Sequence, residues 1–149
     1  MCLGDAPFCF MCKLIRFTIQ NMIVENHIQK DAFAKLLGIR LLEASEGKAS
    51  AEMLVTEDMI NGLGTVQGGA LFSLADYTFA AAINSLGGEL VTLDATMNFF
   101  RPAVRGDLLH AEAVPVKTGN TIMVYDVRVV LGKGGKIVSS FRGTAFRKK

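Results

Sequence analysis

Strong charge of either sign is missing from this chain. Its 149 residues hold 16 basic and 14 acidic side chains, a net charge of +2. That surplus is too small for a nucleic-acid footprint, and no basic stripe interleaved with aromatics occurs. The closest approach, Arg142, Arg147, Lys148 and Lys149, reads as a solvated strand end. Long hydrophobic runs are missing too: Lys13 and Arg16 break the greasy N-terminal stretch before it reaches membrane-spanning length, so no membrane partner is expected. No positive charge precedes that stretch and no small-residue cleavage site follows it, which argues against a signal peptide. Histidine is scarce, with only His27 in the first helical segment and His110 within a strand. All three cysteines, Cys2, Cys9 and Cys12, sit at the extreme N-terminus. Cys9-Phe10-Met11-Cys12 has the spacing of zinc and redox sites, yet zinc normally takes four ligands and no second Cys or His pair follows. No metal and no cofactor is therefore expected, and a reducing cytoplasm is the default location.

What remains is a globular composition. Half of the residues are hydrophobic and a fifth are charged, and the length suits one domain with one core. Met1 to about Asn21 differs in composition from the rest and reads as an extension, with Met22 an alternative start; residues 22–149 read as a single domain. Glu25 to Leu37 carries apolar residues at helical spacing, and Gly38 stops it. Ile39 to Ala44 reads as a strand and Glu46-Gly47-Lys48 as a turn. Ala49, Ala51, Met53 and Val55 alternate with polar neighbours, the pattern of a half-buried strand. One long helix follows, from Thr65 or Gln67 to about Leu86, closed by Gly87-Gly88. Four strands complete the chain, Leu90 to Phe100, Leu108 to Lys117, Thr121 to Leu131 and Lys136 to Phe146. Their short, turn-rich connections predict that successive strands are antiparallel neighbours. The expected architecture is α+β, one long helix cradled by a curved antiparallel sheet of five to six strands, with no internal repeat.

The chemistry concentrates in the segment from Asn61 to Asp76, Asn61-Gly62-Leu63-Gly64-Thr65-Val66-Gln67-Gly68-Gly69-Ala70-Leu71-Phe72-Ser73-Leu74-Ala75-Asp76. A helix that starts near Gly68 offers N–H groups with no intrahelical partner and partial positive charge, which can hold a developing oxyanion. Without a Cβ, Gly68 lets a carbonyl come close. The alternative is that Gly68 and Gly69 only permit a tight entry into the helix. Asp76 is a carboxylate in an otherwise apolar helix, where burial is costly. It is a candidate general base or nucleophile, or a structural residue bonded across an interface.

The segment Asn61 to Gly69, together with Leu74-Ala75-Asp76, Asn98-Phe99-Phe100-Arg101-Pro102, Gly106-Asp107 and Phe141-Arg142-Gly143-Thr144, resembles the hotdog-fold thioesterases, in particular their phenylacetate-pathway (PaaI-like) branch. The resemblance covers about Phe33 to Arg147. It implies a hotdog fold and hydrolysis of an acyl-coenzyme A thioester, in a homotetramer built from dimers. Asn61, Gly68, Asp76 and Thr92 fall where that family carries thioester-contacting and catalytic groups; Gln67, Gly69, Phe99 and Arg101 are the candidates for contacting substrate. The family usually reads His-Gly-Gly where this chain has Gln67-Gly68-Gly69. The N–H of Gly68 survives that change, whereas a titrating contact beside it does not, because Gln cannot titrate.

Two of these positions have other readings. Asn61 either holds the attacking water or the thioester oxygen, or makes an Asx-turn ahead of Gly62. Thr92 either orients Asp76 or water, or is an ordinary strand residue. For the coenzyme A phosphates the candidates are Arg101, Arg105, Lys117, Lys133 and Lys136; for the acyl pocket they are Phe72, Phe79, Phe99 and Phe100. Gly68 and Asp76, eight residues apart on one helix, are separated by about 12 Å. They cannot both touch one carbonyl, so the site is expected to be shared between two subunits of a homodimer. Competing readings are a non-catalytic acyl-coenzyme A binder and, disfavoured by Gln67, a hydratase or dehydratase.

Overall fold

Helical and strand periodicities translate into nine regular elements in the computed structural model, which describes residue 28 and residues 30–148. They are α1 (Ala32–Leu36), β1 (Arg40–Ser45), β2 (Lys48–Leu54), a 3₁₀ turn (Glu57–Met59), α2 (Gly68–Asn84), β3 (Leu90–Phe99), β4 (Leu108–Thr118), β5 (Ile122–Leu131) and β6 (Ile137–Arg147). The expected extension over residues 1–21, its cysteines and His27 lie outside the described residues. The six strands form one antiparallel sheet in the order β1-β2-β4-β5-β6-β3. Helix α2 touches all six, so the sheet curves around it in the hotdog manner.

Alternation explains which face meets the helix. Ala49, Ala51 and Met53 of β2 are buried, as are Leu109, Ala111 and Ala113 of β4 and Met123, Tyr125, Val127 and Val129 of β5. In the β2–β4 ladder Ala49 pairs with Ala113 and Ala51 with Ala111. Four methyl side chains thus make a shallow trough on the sheet, with Leu74, Ala75, Ala81 and Ala82 of α2 in the same core. Ten of the 17 residues of α2 are buried, more than one face of a surface helix supplies. On β6 the helix comes closest at Gly143. A Cβ there would lie 2.8 Å from ring atoms of both Phe79 and Phe141, a distance real Cβ contacts do not reach.

Turn chemistry fixes the ends. The β1–β2 hairpin turns through Glu46 (φ 49°) and Gly47 (φ 78°), and positive φ at both central positions matches the twist of the flanking strands. The Gly47 N–H donates to Ser85 Oγ at 2.8 Å, tying the hairpin to the C-terminus of α2. That helix ends at Asn84 with Ser85 as its cap, just ahead of Gly87-Gly88.

Two sequence expectations are corrected. Glu25 to Leu37 is not one helix: Asp31 is extended (ψ 105°), and its side chain starts α1 afresh by accepting from the N–H groups of Phe33 and Ala34. A side-chain cap competes locally with helix continuation, which apolar spacing cannot register. Nor are all successive strands neighbours. β3 pairs with β6 at the sheet edge, and β4 lies three strand positions away. Three inter-strand spacings are about 14 Å, and the eight-residue link from Phe100 to Asp107 can span about 26 Å. A short link is therefore compatible with a crossover. This one passes under the entrance to α2, where the N–H of Val66 donates to Ala103 O at 2.8 Å.

The contact at Gly143 generates a stability prediction. Gly143→Ala overpacks the helix–sheet junction and is expected to cost about 1–3 kcal/mol, read as a lower urea midpoint. Combined with Phe79→Leu, the total is expected to fall below the sum of the two single costs. Strict additivity would show that the ring does not meet the new methyl group.

Candidate active site

The loop that enters α2 is a small closed structure. Ile60 and Val66 bridge as antiparallel partners, and the Asn61 N–H donates to Thr65 O at 2.8 Å. Asn61 Oδ1 accepts from the N–H of Leu63 (2.9 Å) and of Thr65 (3.3 Å), while its Nδ2 donates to Thr65 Oγ1 at 3.1 Å. Within one chain, then, the Asn61 amide closes its own loop, the Asx-turn arrangement. Gln67 comes next and serves as the helix cap. Its N–H donates to Met59 O, its carbonyl accepts from Ala70, and its Oε1 accepts from the N–H of Gly69. A Cβ at Gly69 would lie 2.6 Å from Gln67 Oε1, so the glycine is what lets a side chain as long as Gln fold back as a cap.

These bonds satisfy Gly69 and Ala70 but not their neighbour. No acceptor among the described residues takes the N–H of Gly68, which sits at the positive end of α2. The Phe99 ring lies beside it, with Cζ 3.2 Å from where a Gly68 Cβ would be. That ring is 55% exposed. Gln67, Gly68, Gly69 and Phe99 are thus brought together around one open donor.

Asp76 lies two turns further along α2, half-buried, with no hydrogen bond to any described side chain or backbone N–H. It opens into a cavity of about 290 Å³ shared with Asp31, Phe33, Ala34, Ile39, Phe72, Ser73, Tyr77 and Ala80. Burial pushes the Asp76 carboxyl above its ordinary value, and the nearby Asp31 carboxylate pushes it further in the same direction. The Tyr77 phenol is raised by the same two causes. Ser73 takes no part, since its Oγ donates to Gly69 O at 2.7 Å. A half-buried carboxylate with a raised pKa and no hydrogen bond from a described residue is suited to moving a proton or attacking a carbonyl.

Other sequence candidates are scattered. Thr92 is an exposed residue at the β3 bulge, seven residues, or about 23 Å of strand, from Phe99. The Arg101 guanidinium donates to Ile137 O at 3.0 Å, and Arg105 pairs with Glu57 at 3.2 Å. Lys117, Lys133 and Lys136 are exposed. Of the phenylalanines considered for a pocket, Phe72 lines the cavity and Phe79 is fully buried in the core instead. His110 is buried on β4 with Nε2 3.1 Å from Glu112 Oε1. Its neighbours Leu109 and Ala111 point the other way, toward α2. Sequence reading missed Asp31, Phe33 and Tyr77. Asp31 was legible as a helix cap, but the packing of α1 on α2 that carries it to Asp76 was not.

Comparison with known proteins extends these observations. A family model for the thioesterase superfamily matches residues 63–138. The chain is 43% identical over 119 residues to the acyl-coenzyme A thioesterase PaaI of Escherichia coli, covering 80% of this chain and 84% of that protein. The solved structure of the E. coli PaaI protein from the phenylacetic acid degradation operon superposes with a TM-score of 0.84, covering 89% of this chain and 96% of that one. A hypothetical thioesterase protein of Streptococcus pneumoniae, solved with coenzyme A, superposes with a TM-score of 0.76 at 25% identity, covering 83% and 96% of the two chains.

The state of Asp76 sets a stability prediction. A carboxyl whose folded pKa is raised penalises folding above its unfolded pKa, because the ionised form is the one the fold disfavours. Asp76→Asn removes that penalty, so it is expected to raise Tm at neutral pH. Its advantage should shrink as pH falls through the range in which the wild-type group protonates. A lower Tm at neutral pH would mean that the carboxylate makes a stabilising bond instead.

Proposed function

The chain belongs to the thioesterase superfamily, and we propose that it hydrolyses the thioester of a small or aromatic acyl-coenzyme A to free acid and coenzyme A. The observation that carries this reading is the N–H of Gly68, which has no acceptor among the described residues, between two N–H groups that are both bonded. A thioester carbonyl set against it would meet one donor reinforced by the dipole of a 17-residue helix. As the carbonyl carbon becomes tetrahedral, negative charge gathers on its oxygen, and the donor holds it more strongly than it held the neutral carbonyl. Asp76 then supplies the second function in one of two ways. As general base it takes a proton from the attacking water; as nucleophile its oxygen bonds to the carbonyl carbon, giving an anhydride that water later opens. In both, the carbon–sulfur bond breaks and coenzyme A leaves as a thiolate that gains a proton.

Spacing along α2 supports dividing the two functions between chains. About 12 Å separates Gly68 from Asp76, and in the proposed assembly each site takes Gly68 from one subunit and Asp76 from a twofold-related partner. In that assembly Gln67 and Gly69 shape the oxyanion end and Phe99 flanks the thioester. Asn61 holds the loop that presents Gly68, Thr92 approaches from the partner's strand, and Arg101 is the candidate nearest Phe99 for the coenzyme A phosphates. The hydratase reading, which needs a histidine paired with a carboxylate at the site, loses ground. Among the described residues the one histidine is His110, buried on β4 away from the α2 entrance.

Asp76→Asn is expected to lower turnover of the best acyl-coenzyme A by about 10² to 10⁴, measured as thiol release, while binding persists. Near wild-type turnover in that variant would remove Asp76 from the chemistry. The shared site has its own test. Asp76→Ala and Gly68→Pro, which removes the N–H, are each expected to be inactive. In mixed dimers one site inherits both defects and the other neither, so random mixing restores about a quarter of all sites in a simple twofold dimer. Background activity in verified heterodimers would place the two residues in unrelated roles. If the proline variant unfolds the loop, Asn61→Ala replaces it.

A further inference from the structure

The cavity beside Asp76 holds a second carboxylate that the hydrolysis itself does not use. Asp31 Oδ1 is occupied by the N–H groups of Phe33 and Ala34, each at 2.9 Å. No described residue bonds Asp31 Oδ2. The remaining walls come from Phe33, Ile39, Phe72 and Tyr77, and no basic side chain lines the space among the described residues. Lys30 and Lys35 flank Asp31 in sequence but are exposed and are not part of the lining. Among the described residues, an acyl group entering this space would meet apolar walls and two acids with no base.

We propose that Asp31 is a specificity-determining residue: together with Asp76 it makes the acyl cavity doubly acidic, so that thioesters of uncharged acyl groups are accepted and thioesters of dicarboxylic acids are rejected. The inference rests on the reading of Asp76 as the catalytic carboxylate and names the substrate class of that same site. An acyl carboxylate in the cavity would sit a few ångströms from one or both acids. Like charges about 6 Å apart at an effective dielectric near 20 repel by an amount equivalent to roughly a hundredfold in affinity, and because Asp31 is itself exposed, solvent reduces this toward tenfold. A hydroxyl or amide on the acyl group carries no such penalty, because Asp31 Oδ2 can accept a hydrogen bond from it.

The test compares butyryl-coenzyme A with succinyl-coenzyme A, which share a four-carbon chain and differ by the terminal carboxylate. Both kcat/KM and the equilibrium Kd are measured for each. Wild type is expected to favour butyryl by at least about tenfold. Asp31→Asn keeps a capping side chain and removes the charge, and it is expected to narrow that preference by about tenfold, mainly through KM and Kd for succinyl. Asp31→Ser, also a good cap, is the second variant in case the first folds poorly. A wild type that takes both thioesters equally, or a preference unchanged in a folded variant, would overturn the proposal and leave Asp31 a helix cap. If wild type binds the thioesters without cleaving either, the hydrolase reading fails, while the ratio of Kd values in wild type and variant still decides the role of Asp31.

Discussion

The close approach of α2 to the sheet is the constraint on which the rest of the protein depends. Phe79 reaches β6 only because Gly143 offers no Cβ, and the alanines paired across β2 and β4 lower the sheet surface on the other side of the groove. A helix seated this deeply cannot slide or turn without opening voids, since interiors are packed to the density of organic crystals. Its two ends are therefore fixed features of the molecule. The C-terminal end is pinned by Ser85 and the Gly47 turn. The N-terminal end is pinned by Val66 on Ala103 and Gln67 on Met59. An open N–H at such an end is already oriented before a ligand arrives, and preorganised donors need no rearrangement as charge develops.

Deep burial also explains the behaviour of Asp76. Most of α2 faces other parts of the protein, and among the described residues Asp76 opens into the space beside α1, which begins where Asp31 caps it. The residue that starts the short helix is thereby also the residue whose charge acts on Asp76. A helix-capping requirement and an electrostatic effect on the site meet in a single side chain, and a substitution that keeps the cap but drops the charge separates them.

Much of this was legible in the sequence. The strand boundaries, the long helix, the Glu46-Gly47 turn and the Gly87-Gly88 stop follow from periodicity and turn chemistry, which are local. Gly68 and Asp76 stood out as candidates because a glycine pair at a helix start and an acid inside an apolar helix each break a local expectation. What could not be read was long-range. The placement of β3 against β6 rather than β4 depends on the path of an eight-residue link, and the break at Asp31 depends on a side chain outcompeting helix continuation. Whether the Asn61 amide faces a ligand or its own loop is a matter of which hydrogen bond wins, and Leu63 and Thr65 lie close enough to win it within the chain. Gly143 was quoted as part of a motif, but its meaning required knowing that Phe79 lies opposite.

The two edges of the sheet bear on the proposed sharing of the site. β1 is short and interrupted by a bulge, and it carries Arg40 and Glu43, features that discourage pairing with another chain. β3 is the other edge, ten residues long, with Leu93 59% exposed and Phe99 55% exposed. A long strand edge with exposed apolar side chains is a liability in an isolated subunit, because its outer N–H and C=O groups are a template for further pairing. Phe99 on that strand also stands beside Gly68, so whatever covers the edge comes close to the open Gly68 N–H. The requirement for a second carboxylate-bearing helix, drawn from the length of α2, and the requirement for a cover over β3, drawn from exposure, rest on different residues. A twofold partner meets both with one interface, and this convergence supports placing the chemistry between subunits.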